Sequence, residues 1–298
     1  MSGSTASDKK GDGDMKKYTA EEKKAYYAEQ KKEIERTLVE GVQAVYTSER
    51  YTTYLDTMMK FHQYSANNCL LILMQKPDAT RVAGCKDWND KFHRTIIKGE
   101  KAIKILAPIP KKLVLTDIDE NGDEVKKEIN WMRFKFVPVF DISQTEGQEL
   151  PTFCDDLKGS VSNYAEIIET LKQIAPVPVY FEDIKDGSHG YYSRSLNKIG
   201  IKTGMSEVQT IKTLAHEIAN SILHSDEKAL PPRHIREVQA ESVAYMVCKQ
   251  IGIDTASYSF EYVAGWANED PKAITGYMDS IRTTAEDVTS KVASLLRA

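Results

Sequence analysis

From Tyr18 to Glu49 the chain reads as helix. The run YTAEEKKAYYAEQKKEIERTLVEGVQAVYTSE is dense in Ala, Glu, Lys and Gln, which lose little on entering a helix. A second helical segment runs from about Tyr51 to Gln63, and the apolar NNCLLILMQKP makes a third that stops at Pro77. The pattern then changes. ATRVAG, TIIKG and KAIKILAP are short apolar runs punctuated by Gly and Pro, which predicts strands. The Asn121-Gly122 pair between two such runs predicts a hairpin tip. WMRFKFVPVFDI predicts the strand that follows, with Trp131, Phe134, Phe136 and Val137 packed inward.

Polar residues with Gly and Pro fill the stretch from Ser143 to Lys158, which marks a boundary. Beyond it, NYAEIIETLKQIA has the spacing of an amphipathic helix, and VPVYFEDI, GYYSRS and KIGIKTG predict strands with turns between. Ser206, with Gln209 three residues on, predicts a capped helix start. Val208, Ile211, Ala215, Ile218 and Ile222 then give that helix one core face. Another helix spans about Pro232 to Ile251, and the last fifty residues predict one or two more. The expected fold is α+β in two domains: a module at 18–142, a linker at 143–158 and a module at 159–298. Residues 1–17 form a tail whose Gly, Ser, Asp and Lys predict disorder.

Length supports two cores, since the chain has 298 residues. A net charge of −4 points to no partner by itself. The four cysteines, Cys69, Cys85, Cys154 and Cys248, lack any disulfide-framework spacing, which fits idle thiols in a reducing compartment. No apolar run approaches the roughly 18 residues of a membrane span, and the first residues lack the apolar core of a secretory signal. The expected location is the cytoplasm, away from membranes.

Candidate chemistry concentrates in TLAHEIANSILH, Thr213–His224. Residues four apart on a helix share a face, so zinc hydrolases often take two imidazoles from positions i and i+4. A glutamate after the first histidine then reaches the bound water as general base. His216 and Glu217 fill the first two roles, but Asn220 stands at the second histidine position. Its amide oxygen is a neutral donor that zinc uses poorly. The next helix offers Glu237 and Glu241, one turn apart. One suits the metal and the other orients the histidine; Glu237 is read as the ligand and Glu241 as its helper. His224 lies about 12 Å further along an unbroken helix, too far to share an ion with His216. Taken alone, an H-E pair also fits a satisfied core histidine.

The surrounding residues extend the pattern. GMSEVQTIKTLAHEI, SILH and REVQAESVAY resemble the zinc peptidase domain of ArdC-type antirestriction proteins, related to the ImmA/IrrE peptidases. The resemblance implies a zincin-like C-terminal domain: a small sheet, an active-site helix and a glutamate-bearing helix. It implies His216 and Glu237 as zinc ligands, Glu217 as base and Glu241 as helper, with Asn220 departing from H-E-x-x-H. NNCLLILMQKPDATRVAGCKDWNDKFHRTIIKGEKAIKILAP and PVFDISQTEG resemble the ArdC N-terminal domain, which implies single-stranded-DNA binding. The most specific pieces are K-G-E-K at Lys98–Lys101 and Q-T-E-G at Gln144–Gly147.

Charge agrees locally. Between Lys60 and Lys112 there are eleven Lys/Arg against four Asp/Glu, interleaved with Phe61, Tyr64, Trp88 and Phe92. Cations that follow phosphates and aromatics that stack on bases make a single-strand groove. Without the resemblance, this stretch reads first as a solvated face with Trp88 in the core. With it, Lys86, Trp88, Arg94, Lys98, Lys101 and Lys104 become the candidate DNA contacts. Spaced by three, Lys98, Lys101 and Lys104 do not share a face of one strand, although a loop would let the first two converge.

Two functions follow. One is a zinc peptidase tethered to a single-strand DNA reader, impaired by Asn220, with KIGIKTG pairing to an extended peptide substrate. The other is a non-catalytic DNA-binding protein whose peptidase-like half is a scaffold or docks a protein partner.

Overall fold

The computed structural model describes residues 20–45, 48–118, 124–150, 163–253, 260 and 271–296. The predicted tail, the Asn121-Gly122 tip and the second half of the predicted linker lie outside the described residues. The chain divides into two compact units, Met1–Arg36 and Thr37–Ala298. In the first, the described residues belong to the start of helix α1 (Ala20–Ala44), where Lys31 and Glu35 pair one turn apart at 3.5 Å. The predicted 18–49 helix therefore ends early, and α2 (Ser48–Lys60) begins earlier than expected.

Helix α3 (Ala66–Gln75) starts at Ser65, whose Oγ accepts the Asn68 N–H at 3.4 Å. Strand β1 (Val82–Ala83) and helix α4 (Cys85–Asp90) follow. Next come β2 (Arg94–Ile96), β3 (Ile103–Ile118) and β4 (Glu124–Asp141). The long antiparallel β3–β4 hairpin runs from Ile103↔Val139 to Ile118↔Glu124, with β1 on the other side of β4. Side chains alternate along a strand. Ile103, Ile105 and Val139 are buried, whereas Met132 and Phe134 are 52% and 58% exposed. The predicted inward set is therefore corrected. Phe134 lies three residues from Val137, so the two point to opposite faces. The side chain of Trp131 is outside the described residues. Along the edge strand β3, Asn68 bonds the N–H and C=O of Leu106, and Gln75 those of Lys104. Two amides from α3 thus serve that edge as a neighbouring strand would.

Helix α4, which the hydrophobic pattern did not announce, puts Trp88 fully in the core. Its indole N–H donates to the Phe140 carbonyl at 2.9 Å, and its ring lies 5.0 Å from that of Phe92. This corrects Trp88 as a base-stacking residue: a ring with no exposed face has no surface to offer a base.

Ser143–Gly147, read above as the start of a linker, is built into the fold. It supplies a 3-10 turn and strand β5 (Thr145–Gly147), which pairs with β2. Asp141 caps the turn and also accepts the Thr80 and Arg81 N–H groups. Burial works against its charge, but the Ser143 side chain and the N–H donors outweigh that and hold its carboxyl below the usual range. Gly147 has φ 137°, and a Cβ there would stand 2.5 Å from the His93 carbonyl oxygen.

The second half opens with α5 (Tyr164–Ile174) and a small sheet of β6 (Val179–Glu182), β7 (Gly190–Ser193) and β8 (Lys198–Lys202). The order is β6-β8-β7, with β8 parallel to β6 and antiparallel to β7. KIGIKTG therefore supplies the central strand, and its pairing with a peptide is corrected: both of its edges are already occupied. Helices α6 (Glu207–Leu223), α7 (Arg233–Gln250) and α8 (Pro271–Leu296) complete the α+β fold. Ile199, Ile201, Ile211, Ile218, Val243 and Val247 share one core cluster with Tyr51, Leu70 and Ile103. Within that core Tyr51 Oη meets Ser242 Oγ at 2.9 Å, and Asp279 accepts the Ala66 N–H at 2.8 Å. Cys69 and Cys248 are buried free thiols and Cys85 is exposed; Cys154 lies outside the described residues. Burial pushes the Cys69 thiol up to about 12, so it is inert at neutral pH.

Gly147→Ala is expected to destabilise the protein by more than about 1 kcal/mol, because both the backbone and the neighbouring carbonyl oppose a side chain there. Urea denaturation measures it; a loss within error would mean that the β2–β5 ribbon tolerates a different backbone.

Candidate functional site

Helix α6 is fixed at its start by Ser206, whose Oγ accepts the Gln209 N–H at 3.3 Å. Ile211, Leu214, Ala215 and Ile218 anchor its core face. Gly190 lets it approach the edge strand β7, since a Cβ there would meet Thr213 Cγ2 at 2.6 Å. Helix α7 packs Val238, Ala240, Val243 and Val247 into the core, and Glu237 and Glu241 stand one turn apart toward α6.

His216 and the α7 glutamates come together. His216 Nδ1 lies 3.0 Å from Glu241 Oε2, and its Nε2 lies 3.7 Å from Glu237 Oε2. Lys212, one turn before His216, holds the other Glu241 oxygen at 2.8 Å. These groups adjoin a cleft of about 270 Å³, lined by His189, Gly190, Lys212, His216, Glu217 and Glu241 among others.

Burial opposes charge on His216, but the Glu241 hydrogen bond and the charges of Glu217, Glu241 and Glu237 outweigh it and raise its pKa. Burial likewise opposes charge on Glu241, and its bonds to His216 and Lys212 outweigh that and lower its pKa. Glu217 differs: burial dominates and raises its pKa. Glu217 is 7% exposed and its carboxylate accepts from Asn220 Nδ2 at 3.2 Å.

Asn220 is part of a second chain of contacts. Its Oδ1 lies 3.0 Å from His224 Nδ1, and His224 Nε2 lies 3.1 Å from the Gln239 amide. His224 is 2% exposed, and burial lowers its pKa. The link from His224 to Gln239 joins α6 to α7 without His216. The four-residue spacing of Lys212, His216, Asn220 and His224 was readable from sequence. The roles of Lys212 and Gln239 were missed, because only packing shows what they face.

The donor set can be tested for zinc. Two donors of a tetrahedral site, each about 2.0–2.1 Å from the ion, stand about 3.3 Å apart. His216 Nε2 and Glu237 Oε2, at 3.7 Å, approach that separation. A third protein donor does not join them, since Asn220 faces Glu217 and His224. Among the described residues, no group of three or more His, Cys, Asp or Glu is arranged to hold a metal ion. The set does not fit a three-ligand catalytic zinc site.

The basic candidates separate into two kinds. Lys86, Lys98 and Lys101 are exposed and Lys104 is half-buried on β3. Lys98 and Lys101 sit at the tight turn between β2 and β3, where the Glu100 N–H donates to Ile97 O at 3.2 Å. Gln144 clamps this turn, donating to Glu100 Oε2 at 2.9 Å and to the Lys101 carbonyl at 2.8 Å. The K-G-E-K and Q-T-E-G motifs are thus one structural unit. Arg94 belongs to its framework: its guanidinium bonds Thr145 Oγ1 and the carbonyls of Thr145, Gly147 and Gln148. Those donors are committed to the fold, which corrects Arg94 as a phosphate contact. No described helix is long and apolar enough to cross a membrane.

Comparison with known proteins gives the following. Residues 23–140 match the family model for the N-terminal domain of anti-restriction factor ArdC. The uncharacterized protein pXO2-81 of Bacillus anthracis is 27% identical over 328 aligned positions, which cover 95% of this chain and 55% of the relative. The chain thus spans little more than half the length of that relative. Two crystal structures of the antirestriction protein ArdC from the R388 plasmid are among the solved structures that match. The metal-free one has a TM-score of 0.46 and 18% identity, over 78% of this chain and 86% of that one. The Mn(II)-bound one has a TM-score of 0.49 and 16% identity, over 77% and 85%.

The shifted pKa values set a pH dependence. The raised His216 value contributes stability that is full below its ordinary 6.5 and is lost as pH rises through the folded value. The lowered Glu241 value contributes stability present above its ordinary 4.5 and lost as pH falls through the folded value. Urea midpoints for wild type are therefore expected to fall above about pH 6.5 more steeply than for His216→Gln. Parallel profiles for the two proteins would show that the imidazole titrates alike folded and unfolded.

Proposed function

We propose that this chain is an ArdC-type antirestriction protein that binds single-stranded DNA through residues 18–142 and carries, at 159–298, a zinc-peptidase-like domain impaired at Asn220. The match of residues 23–140 to the ArdC N-terminal domain carries this reading. The placement of Lys98 and Lys101 on one clamped, exposed turn supports it. With Trp88 and Arg94 committed to the framework, the phosphate contacts fall to Lys86, Lys98, Lys101 and Lys104. Binding by such contacts is largely insensitive to sequence and steeply salt-dependent. A bound single strand would be shielded from nucleases, in a cytoplasmic setting where incoming DNA needs protection.

For the second half, the pairing of His216 with Glu241 and the nearness of Glu237 support descent from a hydrolase site. The donor count argues against efficient zinc binding, so no hydrolytic step is derived. A scaffold reading gains support from one observation. Glu217, the candidate base, accepts a hydrogen bond from Asn220, the residue that stands at the second histidine position. In that reading the domain docks a protein partner or regulator.

Replacing Lys98 and Lys101 together by alanine is expected to weaken binding of a labelled oligonucleotide and to flatten the slope of log K against log salt by about 1.4, or 0.7 per phosphate contact. Fluorescence anisotropy across a salt series reads both, and an unchanged slope would remove the turn from the interface. Asn220→His is expected to raise bound zinc toward one ion per chain and to bring measurable proteolysis of casein. Metal analysis showing no gain would leave the scaffold reading standing.

A further inference from the structure

We infer that Phe134, on the outer face of the β3–β4 hairpin, stacks on an unpaired base and makes the protein prefer single-stranded over duplex DNA. The inference rests on reading this half of the chain as a single-stranded-DNA binder.

Residues opposite each other in an antiparallel pair share a face. The inner face of the hairpin carries Ile103, Ile105 and Val139, which are buried. The outer face pairs Lys104 with Pro138, Leu106 with Phe136, Pro108 with Phe134 and Pro110 with Met132. Phe134 and Met132 are 58% and 52% exposed, the three prolines are exposed, and Leu106 and Phe136 are half-buried. One exposed apolar residue is ordinary, but a contiguous apolar face marks a binding surface. Phe134 and Phe136 stand about 7 Å apart along β4, so the face offers two rings in a row.

The occupant follows from the strand edge and from charge. Alternate residues of a strand turn their N–H and C=O to the same side. On the edge of β3 away from β4, Gln75 takes those of Lys104 and Asn68 those of Leu106. The next two positions on that edge are Pro108 and Pro110, which have no N–H to give. An extended polypeptide therefore finds no row of backbone donors to pair with, and a ligand has to engage the face itself. None of the residues paired across that face is acidic. Lys104 lies at its inner end, and Lys98 and Lys101 are exposed on the turn that leads into β3. The Glu100 carboxylate on the same turn is held by Gln144 Nε2. Cations at one end of an aromatic face suit a polyanion with flat rings, which is a nucleic acid with unpaired bases. In a duplex the bases present their edges in the grooves, and their faces are stacked on one another. The aromatic face thus discriminates by strandedness, whereas lysine contacts to phosphate do not.

The test uses the full chain, a labelled thymidine oligonucleotide and a labelled duplex, with fluorescence anisotropy at fixed salt. Phe134→Ala is expected to weaken single-strand binding at least about 5-fold and to leave duplex binding unchanged. Phe134→Trp is expected to keep the wild-type affinity. Phe134→Leu, apolar but without a ring, is expected to behave like Phe134→Ala. In all three the slope of log K against log salt stays that of wild type, because no phosphate contact is lost. On a strand whose bases are removed, wild type is expected to bind no better than Phe134→Ala. Equal single-strand affinity of wild type and folded Phe134→Ala overturns the proposal, and so does an equal loss on single strand and duplex. Failure of both Phe134→Ala and Phe134→Leu to fold overturns it as well, since the ring would then belong to the core. A wild-type dimer that Phe134→Ala dissolves, with DNA affinity unchanged, overturns it in favour of an interface between copies. If wild type binds and only loss of Lys98 and Lys101 weakens it, the proposal falls and the single-strand reading stands. If wild type binds no single strand, both fall.

Discussion

A mostly buried imidazole, held by carboxylates from the following helix, is the contact on which the C-terminal half depends. His216 sits on α6 and its partners Glu237 and Glu241 on α7, so the polar cluster also fixes how the two helices cross. Such a cluster is costly unless each charge is matched. Here Lys212 supplies a positive charge from within the chain. The Asn220–His224–Gln239 contacts add a second polar link between the same helices. Helix packing and candidate chemistry are therefore inseparable at this site.

Asn220 has a structural role of its own in this helix pair. Asn220 has both an amide oxygen and an amide nitrogen, and it spends them on different neighbours, His224 and Glu217. A histidine at that position has no means of making both contacts in the same geometry. Asn220 thus joins Glu217 to His224 through one side chain. This accommodation makes the present arrangement self-consistent as a polar core.

In the N-terminal half, motif residues owe their identities to the framework before any ligand is considered. Gln144 reaches across to the turn bearing Lys98 and Lys101, Arg94 gathers the carbonyls of β5, and Gly147 gives that strand room beside His93. Hydrogen bonds from Gln144 and within the turn hold its backbone, while the side chains of its two lysines are exposed. Trp88 supports this from below by closing the core and bonding the Phe140 carbonyl. Function and framework are divided among adjacent residues of one short stretch.

The sequence by itself determined much of this. Helical spacing marked the core face of α6, Ser206 marked its start, and the i, i+4 rule put His216 and Asn220 on one side of it. These are local properties, set by backbone geometry within a few residues. What tertiary structure alone decided is which side chains meet across the chain. Periodicity gave no means of ranking β6, β7 and β8 as edge or centre, because strand order depends on pairing between segments. Nor did composition separate Arg94 and Trp88 from Lys98 and Lys101. A cation or an aromatic ring reads the same in sequence whether its partner is solvent or a buried carbonyl, and only the folded chain supplies that partner.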